Sequence, residues 1–344
     1  MFGNNKMSKV FLSICIPSYN RVSELRDLLE SIDTTAAYKC ELIICEDKSP
    51  KRLEIRRIVD EFKLKSDFQI KYFENQVNLG YDRNLRELIK KSNGKFIVFM
   101  GDDDTFVPNA LDKLIDFLSK NEEIGYVLKS HNYYFSDGKI ENFKYFDGDR
   151  FFPAGENTYI ELFRKSVFIS GFVIQRSYIQ NYMVDKFDGT LLFQLYILSE
   201  VALKYQCAYF DTPLTQAKEG GIPFFGNSES EKGLYTPGDI TIDNSINFLK
   251  SFFKITKFID KKYSLESTAR IKKDMSKYFY PNLAIQKHRG LKEFYKYIKE
   301  LNKIGFNCTI YYYVYIAMLV IFGKNICDSV IVFLKRIIGK TPKL

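Results

Sequence analysis

The sequence has no tryptophan and only two histidines, His131 and His288, which disfavours metal centres or catalytic triads built on imidazole. Its six cysteines (Cys15, Cys40, Cys45, Cys207, Cys308 and Cys327) contain no Cys-x-x-Cys pair, and several sit inside apolar runs. That argues against a disulfide framework or a zinc site and for small core residues in a reducing compartment. No G-x-G-x-x-G follows the first apolar run and no G-x-x-x-x-G-K-[ST] occurs anywhere, so a dinucleotide fold and a P-loop are both disfavoured. The stretch Met1–Lys9 lacks the apolar region of a signal peptide, and the expectation is a cytoplasmic catalytic part.

What is present is a large apolar content, 46% of 344 residues, and a net charge of +9. The first supports a sizeable core; the second points to an anionic partner. From Ala284 onward basic residues face only Glu293, Glu300 and Asp328, so the positive character gathers in the tail.

The pattern along the chain alternates. Val10–Ile16 reads as a buried strand ending in the turn Pro17-Ser18-Tyr19-Asn20-Arg21, and Ser23 as the cap of a helix carrying Leu25, Leu28, Leu29 and Ile32. Glu41–Cys45 is a second strand ending in Glu46 and Asp47. Leu53–Leu64 is helical in period, Gln69–Phe73 strand-like, and Asn78–Asn84 leads into a helix to about Lys91. Phe96–Met100 is an apolar run that ends through Gly101 in Asp102, Asp103 and Asp104. Strands alternating with helices in this way predict a doubly wound, mainly parallel sheet, and ligands of such sheets bind beyond the carboxyl ends of the strands. Three adjacent carboxylates there repel one another unless a positive charge sits between them. Mg²⁺ or Mn²⁺ suits hard oxygen ligands and binds phosphates at the same time; alternatively the acids only solvate a loop and favour the helix that starts near Pro108.

The succession Ser13–Arg21, Glu41–Ser49, Asn78–Asn84 and Phe99–Asp104 resembles the nucleotide-sugar-binding half of the family 2 glycosyltransferases, inverting enzymes of the GT-A fold. The resemblance covers roughly the first third of the chain. It implies that Pro17, Ser18, Tyr19, Asn20 and Arg21 line the nucleotide pocket, that Asp47 hydrogen-bonds base or ribose, and that Arg83 approaches the diphosphate. The acidic triplet resembles the family's Asp-x-Asp motif, with Gly101 in place of its first aspartate; Asp102 is assigned to the ribose, and Asp103 and Asp104 to the metal. Each has a plainer alternative: Tyr19 packed in its turn, Asp47 capping a loop, Arg83 paired with Glu87 one helical turn on.

An inverting transfer needs a base for the acceptor hydroxyl. The position matching the family's acidic motif is Asp188 in Lys186–Leu195, with Phe187 where the family usually has Glu; Asp185 stands in reserve, and a helix cap is the alternative role. Gly220–Gly226 reads as a loop near the site. The expected organisation is a GT-A domain over 1–238, with a nucleotide-sugar half over about 9–129 and an acceptor half over 130–238, then a helical region over 239–344. Within that region Ile310–Phe322 is apolar or aromatic throughout, short of the ~20 residues of a membrane span, and rich in tyrosine. It suits an interfacial helix or, otherwise, a packing helix or oligomer contact. The resemblance with this tail implies a nucleoside-diphosphate sugar donor and a polyprenyl-diphosphate-linked glycan acceptor of bacterial surface polysaccharide, such as O-antigen or capsule. The enzyme would lie peripherally or monotopically at the inner face of an anionic membrane, with no nucleic-acid partner. The rival is a membrane-bound scaffold that keeps the nucleotide fold without catalysis.

Overall fold

The computed structural model describes residues 10–338 apart from 219 and 222. The chain divides into two compact units, Met1–Lys232 and Gly233–Leu344.

In the first unit the alternation seen in the sequence becomes β1 (Leu12–Ser18), α1 (Val22–Glu30), β2 (Cys40–Glu46), α2 (Arg52–Lys65), β3 (Gln69–Glu74), α3 (Tyr81–Lys91) and β4 (Phe96–Phe99). These are followed by β5 (Thr105–Phe106), α4 (Ala110–Lys120), β6 (Tyr126–Tyr134), β7 (Ile140–Phe143), β8 (Arg150–Phe152), α5 (Glu156–Phe163), β9 (Phe172–Gln175), α6 (Phe193–Ala202) and β10 (Cys207–Lys218). One sheet runs β3-β2-β1-β4-β9-β6-β10-β5, with β7 on β6 and β8 on β10. Strands β3, β2, β1 and β4 are parallel. β1 and β4 read as apolar runs because both of their faces are covered, and β2 and β4 are buried at every position; β3, at the sheet edge, carries Gln69, Lys71 and Glu74 and is only partly buried.

The chain winds outward from β1 to β3 and then returns to lay β4 on the other side of β1. Their carboxyl ends therefore flank the point where strand order reverses, the usual ligand crevice of such sheets. At the opposite, amino ends, the buried Glu41 accepts from the Ser13 hydroxyl and the Asn93 amide, both at 2.6 Å, and pairs with Lys71 at 2.6 Å. Gly94 passes so close to β1 that a Cβ would lie 2.6 Å from the Ser13 nitrogen. This polar knot ties three strands and the entry to β4 into one register.

Several expectations shift. Arg21, not Ser23, holds the N-cap position of α1, and it makes no side-chain capping bond; its guanidinium is used elsewhere, while Ser23 bonds Glu24 within the first turn. Strand β6 runs on to Tyr134 and forms a hairpin with β7. Strand β9 was not anticipated: it is antiparallel to both β4 and β6, and four residues are too few for a clear period. Five cysteines are buried, but Cys308 is exposed.

The second unit is helical: α7 (Ile242–Tyr263), α8 (Ser267–Lys277), α9 (Tyr280–His288), α10 (Leu291–Lys303), α11 (Ile310–Ile321) and α12 (Gly323–Ile338). Thr241 caps α7 by accepting from the Asn244 amide. Leu283, Phe294, Tyr297, Leu301, Phe306 and Tyr312 are all fully buried at its centre. Among the described residues no helix is long and apolar enough to cross a membrane.

Candidate functional site

The turn after β1 bends at Asn20, whose φ of 62° is in the left-handed region that Asn tolerates better than most residues. That bend aims two donors at the end of β4. The Tyr19 amide donates to Asp102 Oδ2 at 2.9 Å, and Arg21 donates from Nη1 to Asp102 Oδ1 at 2.8 Å. The same guanidinium reaches Asp103 Oδ2 from Nη2 at 3.0 Å. The positive charge that three adjacent acids require is thus supplied in part by the chain itself. Asp102 is buried, whereas the Asp103 side chain is 30% exposed.

Asp104 turns the other way. Ser170, just before β9, accepts from the Gly101 amide at 3.0 Å and donates to Asp104 Oδ2. A Cβ at position 101 would lie 3.0 Å from Ser170 Oγ and 3.1 Å from Asp103 Oδ1. Glycine therefore stands where the family's first aspartate is expected because the triplet folds back over that spot. Burial, and then the charge of Asp103, push Asp104 up to about 7; burial pushes Asp102 up to about 6, against the pull of Arg21. Lys129 on β6 is also buried here, its Nζ 4.1 Å from the centre of the Phe168 ring. Desolvation pulls it down to about 7, with Asp104 opposing. Gly171 has φ 81°, and a Cβ there would meet Lys129 Cε at 2.9 Å, so a left-handed glycine makes room for the lysine stem.

Asp47 lies at the end of β2 on the same rim. Its Oδ1 accepts from the Leu79 amide and Asn75 Nδ2, both at 2.8 Å, and Oδ2 from the Gly80 amide at 2.9 Å. Burial pushes it up to about 6 despite these bonds. The structure places Asp47 as the clamp of the 75–80 loop, which is the loop-capping alternative. Glu46 is occupied below the rim by Ser49, Lys48 and Arg52. The clamped loop sets Asn78 against Tyr19, whose hydroxyl is raised by burial and lowered by its bond to Asn78.

Residues after β10 complete the rim. The Phe224 ring meets Tyr19 edge-on at 6.2 Å and lies 5.2 Å from the Arg21 guanidinium; a Cβ at Gly221 would be 3.3 Å from Asp103 Oδ2. Glu231 fixes this return, accepting from the Tyr81 and Gly226 amides, each at 2.8 Å. Of the loop anticipated at Gly220–Gly226, residue 222 lies outside the described residues.

Arg83 and Asp188 meet in a second cluster. Arg86 grips both oxygens of Asp188, with Nη2 to Oδ2 at 2.9 Å, and Arg83 Nε stands 3.9 Å from Oδ2. Arg83 therefore turns toward Asp188, while Glu87 pairs with Lys90 and Lys91. Nor is Asp188 the cap of α6: the buried Asp82 accepts from the Leu191 and Phe193 amides, both at 2.9 Å. Leu191, with φ 61°, is a strained leucine held in place by that carboxylate. Burial pushes Asp82 up to about 7, against those two bonds.

Sequence reasoning named Arg21, the triplet and the loop that carries Phe224; it did not name Ser170, Lys129, Glu231, Asp82 or Arg86. A signal for the last pair existed, because 82, 85, 86 and 89 share the apolar stripe of α3, so a charged pair there had to be buried.

Among the described residues no group of three or more His, Cys, Asp or Glu side chains is disposed to hold a metal alone. Asp103 and Asp104 supply two carboxylates, the share a Mg²⁺ or Mn²⁺ ion takes from protein when diphosphate and water fill the other positions.

Residues 13–177 match the family described as "Glycosyl transferase family 2". The chain is 30% identical to abequosyltransferase RfbV of Salmonella typhimurium over 115 residues, 33% of this chain and 34% of that one. It is also 30% identical over 115 residues to an Escherichia coli protein, UDP-Glc:alpha-D-GlcNAc-diphosphoundecaprenol beta-1,3-glucosyltransferase WfgD, covering 33% and 44%. The alignments span well under half the length of these curated relatives. In fold, it is similar to S. aureus TarS 1-349 in complex with UDP-GlcNAc, at a TM-score of 0.58 and 14% identity over 85% of this chain and 80% of that one.

Proposed function

We propose that this chain, whose residues 13–177 belong to glycosyl transferase family 2, is an inverting glycosyltransferase that moves a sugar from a nucleoside diphosphate to a glycan acceptor. The observation that carries the reading is the junction across the β1–β4 crevice, where Tyr19 and Arg21 bind Asp102 and leave Asp103 partly exposed beside Asp104.

In this reading Pro17 to Arg21 and the Asn78 loop line the nucleotide pocket, and Asp47 acts by holding that loop rather than by touching the ribose. Asp102 fixes the turn that carries Tyr19 and stands nearest the ribose. A Mn²⁺ or Mg²⁺ ion on Asp103 and Asp104 would supply the charge that neutralises the diphosphate leaving group. Arg21, drawn toward Phe224, is placed to add its own positive charge to that side of the pocket. Asp188 is the proposed base for the acceptor hydroxyl, and to take a proton it must first be released by Arg86. Arg83, partly exposed beside it, is proposed to approach the diphosphate when the pair opens.

The acceptor is proposed to be a glycan on a polyprenyl diphosphate of a bacterial surface polysaccharide, O-antigen or capsule. The name of the E. coli relative, which acts on a diphosphoundecaprenol-linked sugar, supports this, and such an acceptor sets the reaction at the inner face of the membrane. Thermal unfolding with a panel of nucleoside diphosphates, each with Mn²⁺ or EDTA, tests the core of the proposal. A native-state ligand raises the melting temperature by mass action. One diphosphate, UDP first in the panel, should stabilise the protein with Mn²⁺ and much less with EDTA; no shift with any of them overturns the reading.

A further inference from the structure

Helices α10 and α11 present two stripes of opposite character. On α10, Lys292, Lys296, Lys299 and Lys303 are all exposed, and their spacing of four, three and four residues puts them on one face. Phe294, Tyr297 and Leu301 are buried on the other. On α11 the exposed positions are Ile310, Tyr311, Tyr313, Val314, Ala317, Val320 and Ile321, the side away from Tyr312 and Leu319, with no charged residue between Ile310 and Ile321. Ile310 and Ile321 are each 70% exposed. The opposite side packs inward through Tyr312 and Leu319. The helices are joined where the Tyr312 hydroxyl donates to Asn302 Oδ1 at 2.9 Å and to the Ile298 carbonyl at 3.4 Å. Lys299 and Lys303 follow those two residues in sequence, so the lysine row starts from the stretch of α10 that touches α11.

We propose that this paired surface of the second unit docks on an anionic lipid bilayer, with α11 lying in the plane of the interface. Exposed aliphatic side chains, tyrosines and an exposed row of lysines on the preceding helix are the chemistry of an interfacial surface. The 12 residues of α11 span roughly 18 Å, too little for a hydrocarbon core of about 30 Å, so the helix lies on the membrane rather than through it. A second copy is the poorer occupant. It brings no counter-charge for the lysine row, whereas anionic headgroups complement that row. The proposal deepens the membrane-side reaction above and rests on it only for which membrane is involved.

The test is sedimentation of the full chain with vesicles of phosphatidylcholine alone and of phosphatidylcholine with phosphatidylglycerol, at low and high salt and without nucleotide. The protein should pellet with the anionic vesicles at low salt and be released by high salt. Lys296→Glu with Lys299→Glu should weaken binding about tenfold or more, and Val314→Ser with Ile321→Ser should weaken it at unchanged charge. All are exposed positions, and an unaltered diphosphate-induced thermal shift shows that each variant is folded and that its donor site is intact. Wild-type protein left in the supernatant, equal binding to both vesicle types, or binding indifferent to both pairs of substitutions overturns the proposal. A dimer in light scattering that Val314→Ser with Ile321→Ser dissolves overturns it in favour of a second copy. Vesicle binding needs neither donor nor turnover, so it fails or survives separately from the proposed reaction.

Discussion

Arg21 and Arg86 both hold carboxylates in the first unit. At the β1–β4 rim one guanidinium is shared by Asp102 and Asp103, with Asp104 close behind; at the approach to α6, Asp188 has Arg86 across both oxygens and Arg83 at 3.9 Å. The same pair of residue types therefore leaves opposite residues of charge. The rim is short of positive charge even counting Lys129, which burial pulls toward neutrality, and so it favours an incoming cation. The α6 cluster has cation to spare and favours an anion. A pair seen in isolation says little about function; the local balance of charge says which sign of ligand a cluster can accept.

The contrast breaks most sharply at the rim. Asp103→Ala or Asp104→Ala should lower transfer about a thousandfold, the scale on which a lost transition-state charge contact is felt. The Mn²⁺-dependent part of diphosphate binding should vanish with it in calorimetry; near-wild-type turnover in both variants would remove the metal from this site.

At the α6 cluster, Asp188→Asn should lower turnover by about 10²–10⁴, the range for a lost general base, and leave the diphosphate-induced thermal shift intact. Arg86→Met should instead cost stability, about 1–3 kcal/mol once partial exposure is allowed for. If the double variant is no less stable than Arg86→Met alone and transfer is unchanged in Asp188→Asn, the pair is an anchor and the base lies elsewhere.

The smallest effect concerns Asp82, which neither cluster uses directly. Burial raises its folded-state value to about 7, above the roughly 3.9 of an unfolded chain. Between those values the native state holds a proton that the unfolded state has lost, so this group's contribution to stability is present at low pH and falls as pH rises toward 7. Chemical denaturation from pH 5 to pH 8 should show that loss, of order a few kcal/mol at most, and Asp82→Asn should make the profile less steep, Asp47, Asp102 and Asp104 carrying the remainder. An equally steep profile in the variant would assign the slope to other groups.

Much of this was legible in the sequence because it depends on local pattern. Apolar runs ending in polar turns located β1, β2 and β4, and with them the rim; the period of α1 followed from Leu25, Leu28 and Leu29. What stayed hidden depends on residues far apart. Glu231 bonds Tyr81 across 150 positions, and Ser170 bonds Asp104 across 66, with nothing in either neighbourhood to announce the partner. Lys129 reads as the polar end of a strand, and only the packing of Gly171 and Phe168 around it reveals that it is buried. Asp188 was found by resemblance, which could supply a position but not the guanidinium that grips it.

Strand β9 runs against β4, with Phe172 opposite Phe99 and Gln175 opposite Phe96. Its first residue, not its last, therefore stands level with the acidic triplet, and the segment that feeds the rim is the one before the strand, where Ser170 and Gly171 lie. This makes tolerance to change along the chain asymmetric about a four-residue element. A residue inserted just ahead of Phe172 would shift Ser170 against Asp104, whereas one inserted after Gln175 would fall at the far edge of the sheet. In a library of single insertions, the boundary between silent and inactive members should run through β9 itself.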